Sequence, residues 1–237
     1  MNILWLAAIL VLAMMPSGER CGETTRAGPA GLVRPLPGVP LIAEQMEERV
    51  QNQGARDSTA SEVSTYTVYR DSMGRIRIER GSACTSEAAT ISVLDPTIGS
   101  RVVLSVRDKI AYRVLTLKPS SNVVAYGFAG MGEALPAGDW TSTTENLGRT
   151  MIEGNEFEGT RILQSMQGEP TLTNKVELWD SFQLKITGLA IVSGPFGTHS
   201  ARLQKLQLRD PDPQLFAFPP DYKIIDLNSS SEIEGQQ

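Results

Sequence analysis

The chain has 237 residues, 41% hydrophobic and 21% charged, which excludes a wholly disordered polypeptide and fits one domain with a buried core. A formal net charge of −5 disfavours broad binding to nucleic acid or to an anionic membrane, because a mildly acidic surface repels phosphate. One histidine and two cysteines exclude a disulfide framework and a zinc site built from Cys and His, and no motif calls for a cofactor.

Residues 1–18 read as a signal peptide. Residues 3–15 are unbroken apolar and end at Pro16-Ser17-Gly18, where a cleavage site is expected. The run is shorter than the roughly 17–25 residues of a spanning helix and suits the centre of a secretory signal. Only the α-amino group supplies positive charge ahead of it. Glu19 and Arg20 stand before Cys21, where lipid attachment needs small residues. No later stretch is long and apolar enough for a membrane span, so the expectation is export without an anchor. A Cys21–Cys84 bridge is allowed if both cysteines survive processing; two unpaired thiols, or loss of Cys21, is the simpler reading.

Residues 19–39 are rich in Pro and Gly and read as a linker. Residues 40–226 are expected to form the domain, and 227–237, ending NSSSEIEGQQ, a disordered tail. Residues 41–53 (LIAEQMEERVQNQ) favour helix by composition, with Ile42, Met46 and Val50 at four-residue spacing. Residues 42, 44, 46, 48 and 50 equally line one face of a strand.

From Thr65 the pattern is strands. Tyr66 and Val68, then Ile76 and Ile78, alternate with polar partners around Asp71-Ser72-Met73-Gly74, a hairpin turn. Residues 91–94, the turn at Asp95-Pro96, then 102–106 and 110–117 continue a meander. Residues 119–145, with GFAGMG and Pro136, read as a long internal loop or flap. Strand patterns return at 149–152, 156–166, 176–179 and 183–192. Residues 198–209 form another, with a β-bulge expected near Gln204-Lys205 where the alternation slips. Residues 222–225 suit a final edge strand. The expected fold is mainly β, with few helices.

Catalytic chemistry is poorly supported. A Ser-His relay needs His199, yet Ser200 beside it on a strand faces the other way, so His199 reads as a surface hairpin residue. Glu156 and Glu158 share a strand face and, with Asp180, would make a carboxylate cleft only if the fold brings them together. Arg70, Arg75, Arg77 and Arg80 crowd the first hairpin, as an anion or partner site or simply as its wet side.

Several of these motifs recur as an ordered set: Tyr69-Arg70-Asp71 with Gly74-Arg75 and Arg77-Ile78-Glu79; Leu94-Asp95-Pro96 with Gly99; Leu147-Gly148; Ile152-Glu153-Gly154; Glu177-Leu178-Trp179; and Asp210-Pro211-Asp212-Pro213 with Leu215-Phe216 and Pro219-Pro220-Asp221-Tyr222. The set resembles a family of uncharacterised exported bacterial proteins with the pattern YRDxxGRxRxE … PDPxLFxxPxDY. That family is more distantly similar to LolA-like lipoprotein carriers and sensors. The resemblance implies a single strongly curved antiparallel sheet, an unclosed half-barrel in the periplasm or cell envelope of a bacterium, with residues 41–53 as its first strand. It implies a non-enzymatic role and supplies no catalytic residue.

On that basis the leading expectation is a hydrophobic or lipid-like ligand on the concave face, lined by Tyr112, Trp140 and Trp179, with 119–145 as lid. The alternative is an envelope protein partner or sensor role through an exposed strand edge or the Arg-rich hairpin. An unrecognised hydrolase ranks third.

Overall fold

The computed structural model describes residues 31–52, 59–81, 88–115, 139–195 and 197–227. Alternating side chains between turn residues give twelve strands: β1 (Leu41–Asn52), β2 (Thr59–Arg70), β3 (Ile76–Gly81), β4 (Ala88–Asp95), β5 (Ser100–Ser105), β6 (Ile110–Leu115), β7 (Trp140–Ile152), β8 (Asn155–Met166), β9 (Glu169–Ser181), β10 (Ile186–Gly194), β11 (Gly197–Gln207) and β12 (Lys223–Asp226). They form one 12-stranded sheet in the order β12-β6-β5-β4-β3-β2-β1-β11-β10-β9-β8-β7. Every pair is antiparallel except β12 with β6. β12 and β7 do not meet, so the strongly curved sheet is unclosed.

Bulges bend it. One lies in β11, where the register slips between Ile42 and Glu44 and Lys205 has φ 54°, as the broken alternation at Gln204-Lys205 foretold. Others lie at Gly188 in β10 and beside Gly148 in β7. The β7–β8 hairpin turns on Glu153 and Gly154, both at positive φ, the twist that suits a tight hairpin.

Three expectations are corrected. Residues 41–52 are a strand, as the resemblance implied and against their helix-favouring composition, and the buried set is Leu41, Ala43, Gln45 and Glu47 rather than the even positions. Pairing on both sides, to β2 and β11, outweighs helix propensity. Trp140 to Glu145 belong to β7, paired with β8 from Met166 to Arg161; the Thr and Ser there suit an exposed strand that lacks apolar alternation. The end of the expected linker is part of the domain. Leu32 and Val33 are 0% and 5% exposed, and Thr187 N donates to Leu32 O at 2.8 Å. The export signal, Cys21, Cys84 and residues 119–138 lie outside the described residues.

The main core is a cluster of Leu32, Val33, Leu41, Ala43, Val68, Ile76, Ile186, Ala190, Ala201 and Leu203, with Phe157 and Leu184. It places the arm at residues 32–39 against the side of the sheet that we call the inner face. A second cluster, Val102, Leu104 and Ala111, lies on the other side of β5 and β6, with Tyr222 packed on it. Among the described residues no helix is long and apolar enough to cross a membrane.

Candidate functional site

The motif residues that looked most chemical turn out to hold the fold together. Arg70 is 0% exposed, and its guanidinium donates to the carbonyls of Val39 (2.6 Å), Leu184 (2.6 Å) and Lys185 (3.0 Å). Burial lowers its pKa to about 10, so it stays charged at neutral pH. Asp71 closes the turn: its carboxylate accepts from the amides of Met73 and Arg75 and from Arg75 Nε at 2.6 Å. Arg75 also lies over the Phe216 ring, 4.7 Å from its centroid, and Arg77 donates to the Leu215 carbonyl at 2.7 Å. The YRDxxGRxR hairpin and the PDPxLF segment are therefore two halves of one contact. That use of Arg70, Arg75 and Arg77 leaves the hairpin poorly suited to binding an outside anion.

The candidate carboxylates are likewise engaged. Glu158 and Asp180 are cross-strand partners, but Glu158 pairs with Arg149 at 2.8 Å, while Asp180 accepts from Thr187 Oγ1 at 2.5 Å and from Arg34 at 3.2 Å. Glu156 pairs with Arg149 at 3.2 Å. Ser200 opposes Glu48 and His199 opposes Arg49, so the two side chains take opposite faces of β11.

The inner face beyond the filled core offers a different kind of site. Following the cross-strand register outward from Val68 gives Ile78, Ser92, Val103, Tyr112 and Ile225, one row across β3, β4, β5, β6 and β12. Ile78, Val103 and Ile225 are half-buried and Tyr112 is 37% exposed. On the far wing, Ile162, Val176 and Val192 form a similar half-buried row that runs into His199. Each row presents apolar surface on the side away from Tyr222.

Between the wings the inner face is polar. Gln45, Glu47, Tyr66 and His199 are all buried. Gln45 Nε2 donates to Glu47 Oε1 at 2.7 Å, and Glu47 Oε2 stands 3.5 Å from His199 Nε2. Burial, reinforced by the Glu47 charge, raises the Tyr66 hydroxyl above its ordinary range. His199 is thus buried, not on the surface. Its position shares a face with Ala201 and Leu203, and that alternation was the available signal. Glu47 and Gln45 escaped the sequence reading because the strand face weighed there held the even positions, 42 to 50.

Of the expected lining residues, Tyr112 and Trp140 fall on inner-face positions at opposite ends of the sheet, Trp140 opposite Met166. Trp179 is one position out of step with Leu178 and Ala190. It stands opposite Gly159, where a Cβ would come within 2.6 Å of the indole, and it packs against the core. The structure does not bring the three rings together.

Beyond Phe157 and Trp179, the outer face of β7 to β9 carries an ion-pair ladder. Arg161 pairs with Glu145 and Glu177, each at 2.9 Å, and Lys175 approaches Glu177 at 3.4 Å.

No family model and no curated protein matches the chain. Solved structures do. An uncharacterised conserved protein from Thermus thermophilus is similar at 10% identity and a TM-score of 0.47, over 81% of this chain and 93% of that one. A LolA-superfamily protein from Nitrosomonas europaea is similar at 9% identity and a TM-score of 0.37, over 79% and 93%. The MucA/MucB complex of Pseudomonas aeruginosa is similar at 10% identity and a TM-score of 0.41, over 78% of this chain and 59% of that one.

Proposed function

We propose that this chain is a non-enzymatic binding protein of the cell envelope, which holds a hydrophobic or lipid-like ligand on the inner face of its open sheet. One observation carries the reading. Apolar rows on both wings run outward on the inner face from the edge of the core, where Ile78 and Val192 pack: Val103, Ile225, Ile162 and Val176 are half-buried outside the main core cluster, and Tyr112 is 37% exposed. Such a surface gains most by taking up an apolar partner. Tyr112 and Trp140 would line the two ends of that surface. The apolar segment at residues 3–15 supports delivery outside the cytoplasm.

Native mass spectrometry of the protein recovered from its own host envelope tests this. A co-purifying lipid, lost on organic extraction, is the expected result; a clean ligand-free mass at high yield contradicts it.

The second reading, a protein partner at a strand edge, has its own support in β7. This edge strand runs from Trp140 to Ile152 without Pro or Lys, and among the described residues nothing pairs with its outer side. Its two charged residues, Glu145 and Arg149, are tied to β8.

A further inference from the structure

His199 is the only histidine in the chain, and its place is unusual. Its side chain is 8% exposed, and Nδ1 is buried without a hydrogen-bond partner. Buried ring nitrogens are nearly always paired, so an orphan marks a place for a ligand group or a water. The other nitrogen fixes which kind. Nε2 faces the Glu47 carboxylate at 3.5 Å, and Glu47 Oε1 already accepts from Gln45. An ionised carboxylate only accepts, so in the neutral imidazole the proton sits on Nε2 and Nδ1 presents a lone pair. That lone pair takes a donor and rejects an acceptor.

His199 also stands where the apolar wing Ile162–Val176–Val192 ends and the polar centre begins. We infer that Nδ1 of His199 is the polar contact through which the inner face selects amphiphiles whose head group carries a hydrogen-bond donor, a hydroxyl or an amine. The inference rests on the binding role proposed above and narrows its ligand class. The acyl chain lies along the wing, and the head group enters the side-chain layer at His199. There it exchanges a covered, unpaired acceptor for a hydrogen bond. Ester or carboxylate head groups, which offer only acceptors, gain nothing at this nitrogen.

The full chain, labelled with 15N-histidine, gives a single imidazole spectrum. It is titrated with 1-monooleoylglycerol, which has hydroxyl donors, and with methyl oleate, which has none. Monooleoylglycerol is expected to shift the Nδ1 resonance upfield and methyl oleate to leave it in place. His199→Phe should weaken monooleoylglycerol about tenfold and methyl oleate less than about twofold. A resonance that stays put while monooleoylglycerol is bound overturns the inference and gives the nitrogen to an internal water. So does a variant that loses both esters equally, which makes the residue structural. The first of these needs no variant to fold. If neither amphiphile binds the unaltered protein, the binding role itself falls, a result distinct from either of the others.

Discussion

Arg70 concentrates the fold's polar demands in one side chain. Its planar fork reaches the arm through Val39 and the β9–β10 turn through Leu184 and Lys185, joining segments far apart in sequence. Replacing it with Met strands those carbonyls in a dry site, so Arg70→Met should cost about 3 kcal/mol of stability or more in urea unfolding. Arg70→Lys, with one ammonium in place of the fork, should recover only a minor part. A loss below about 1 kcal/mol for Arg70→Met would show that the carbonyls find other partners. None of this was legible beforehand: four arginines in one hairpin look the same whether they face water or carbonyls, and the acceptors come from residues 39, 184 and 185. The burial of His199 was partly legible, since it shares the phase of Ala201 and Leu203 on β11.

At the scale of elements, the turns were the most readable features because their chemistry is local. Asp71 with Gly74 gave the first hairpin, and the slip near Lys205 gave the bulge. The arm was not readable, since Pro35, Pro37 and Gly38 look like linker whether or not something docks. Its docking explains why Gly74 is required. That residue has φ +86°, and a Cβ there would lie 2.5 Å from the Leu36 carbonyl carbon. Gly74→Ala should therefore destabilise by about 2 kcal/mol, combining backbone strain with displacement of the arm. A loss of no more than about 0.5 kcal/mol in thermal unfolding would mean that the arm does not press on this turn.

The ladder across β8 and β9 carries a pH signature. Burial acts to raise the Glu177 carboxyl, but hydrogen bonds from Arg161 and Lys175 outweigh it and hold the group below its ordinary 4.5. The unfolded chain then takes up the proton first as pH falls. The stabilisation is complete above 4.5 and is lost as pH drops through the lower folded value. Between about pH 6 and about pH 3 the parent protein should lose about 0.5–1 kcal/mol more stability than Glu177→Gln. Parallel curves would contradict the pairing.

For the molecule as a whole, alternation and turn spacing announced an antiparallel sheet, and the family resemblance announced its open form. Composition, however, is silent about which face of a strand is covered. β5 shows the problem: Val102 and Leu104 face the Tyr222 side, Val103 faces inward, and all three read as core. Only the tertiary structure shows that the C-terminal segment covers the Tyr222 side of β5 and β6, while the arm covers one part of the inner face. The proposed binding role therefore requires the inner face to be the surface that meets apolar ligand. A spin-labelled fatty acid, 16-doxyl-stearate, titrated into the methyl-labelled protein reads this directly through paramagnetic broadening. Ile78, Val103, Val176 and Val192 should broaden together and saturate near one equivalent, while the exposed outer-face methyls of Val63 and Leu163 stay sharp. Broadening centred on Val63 or Leu163, or none at saturating probe, would contradict it.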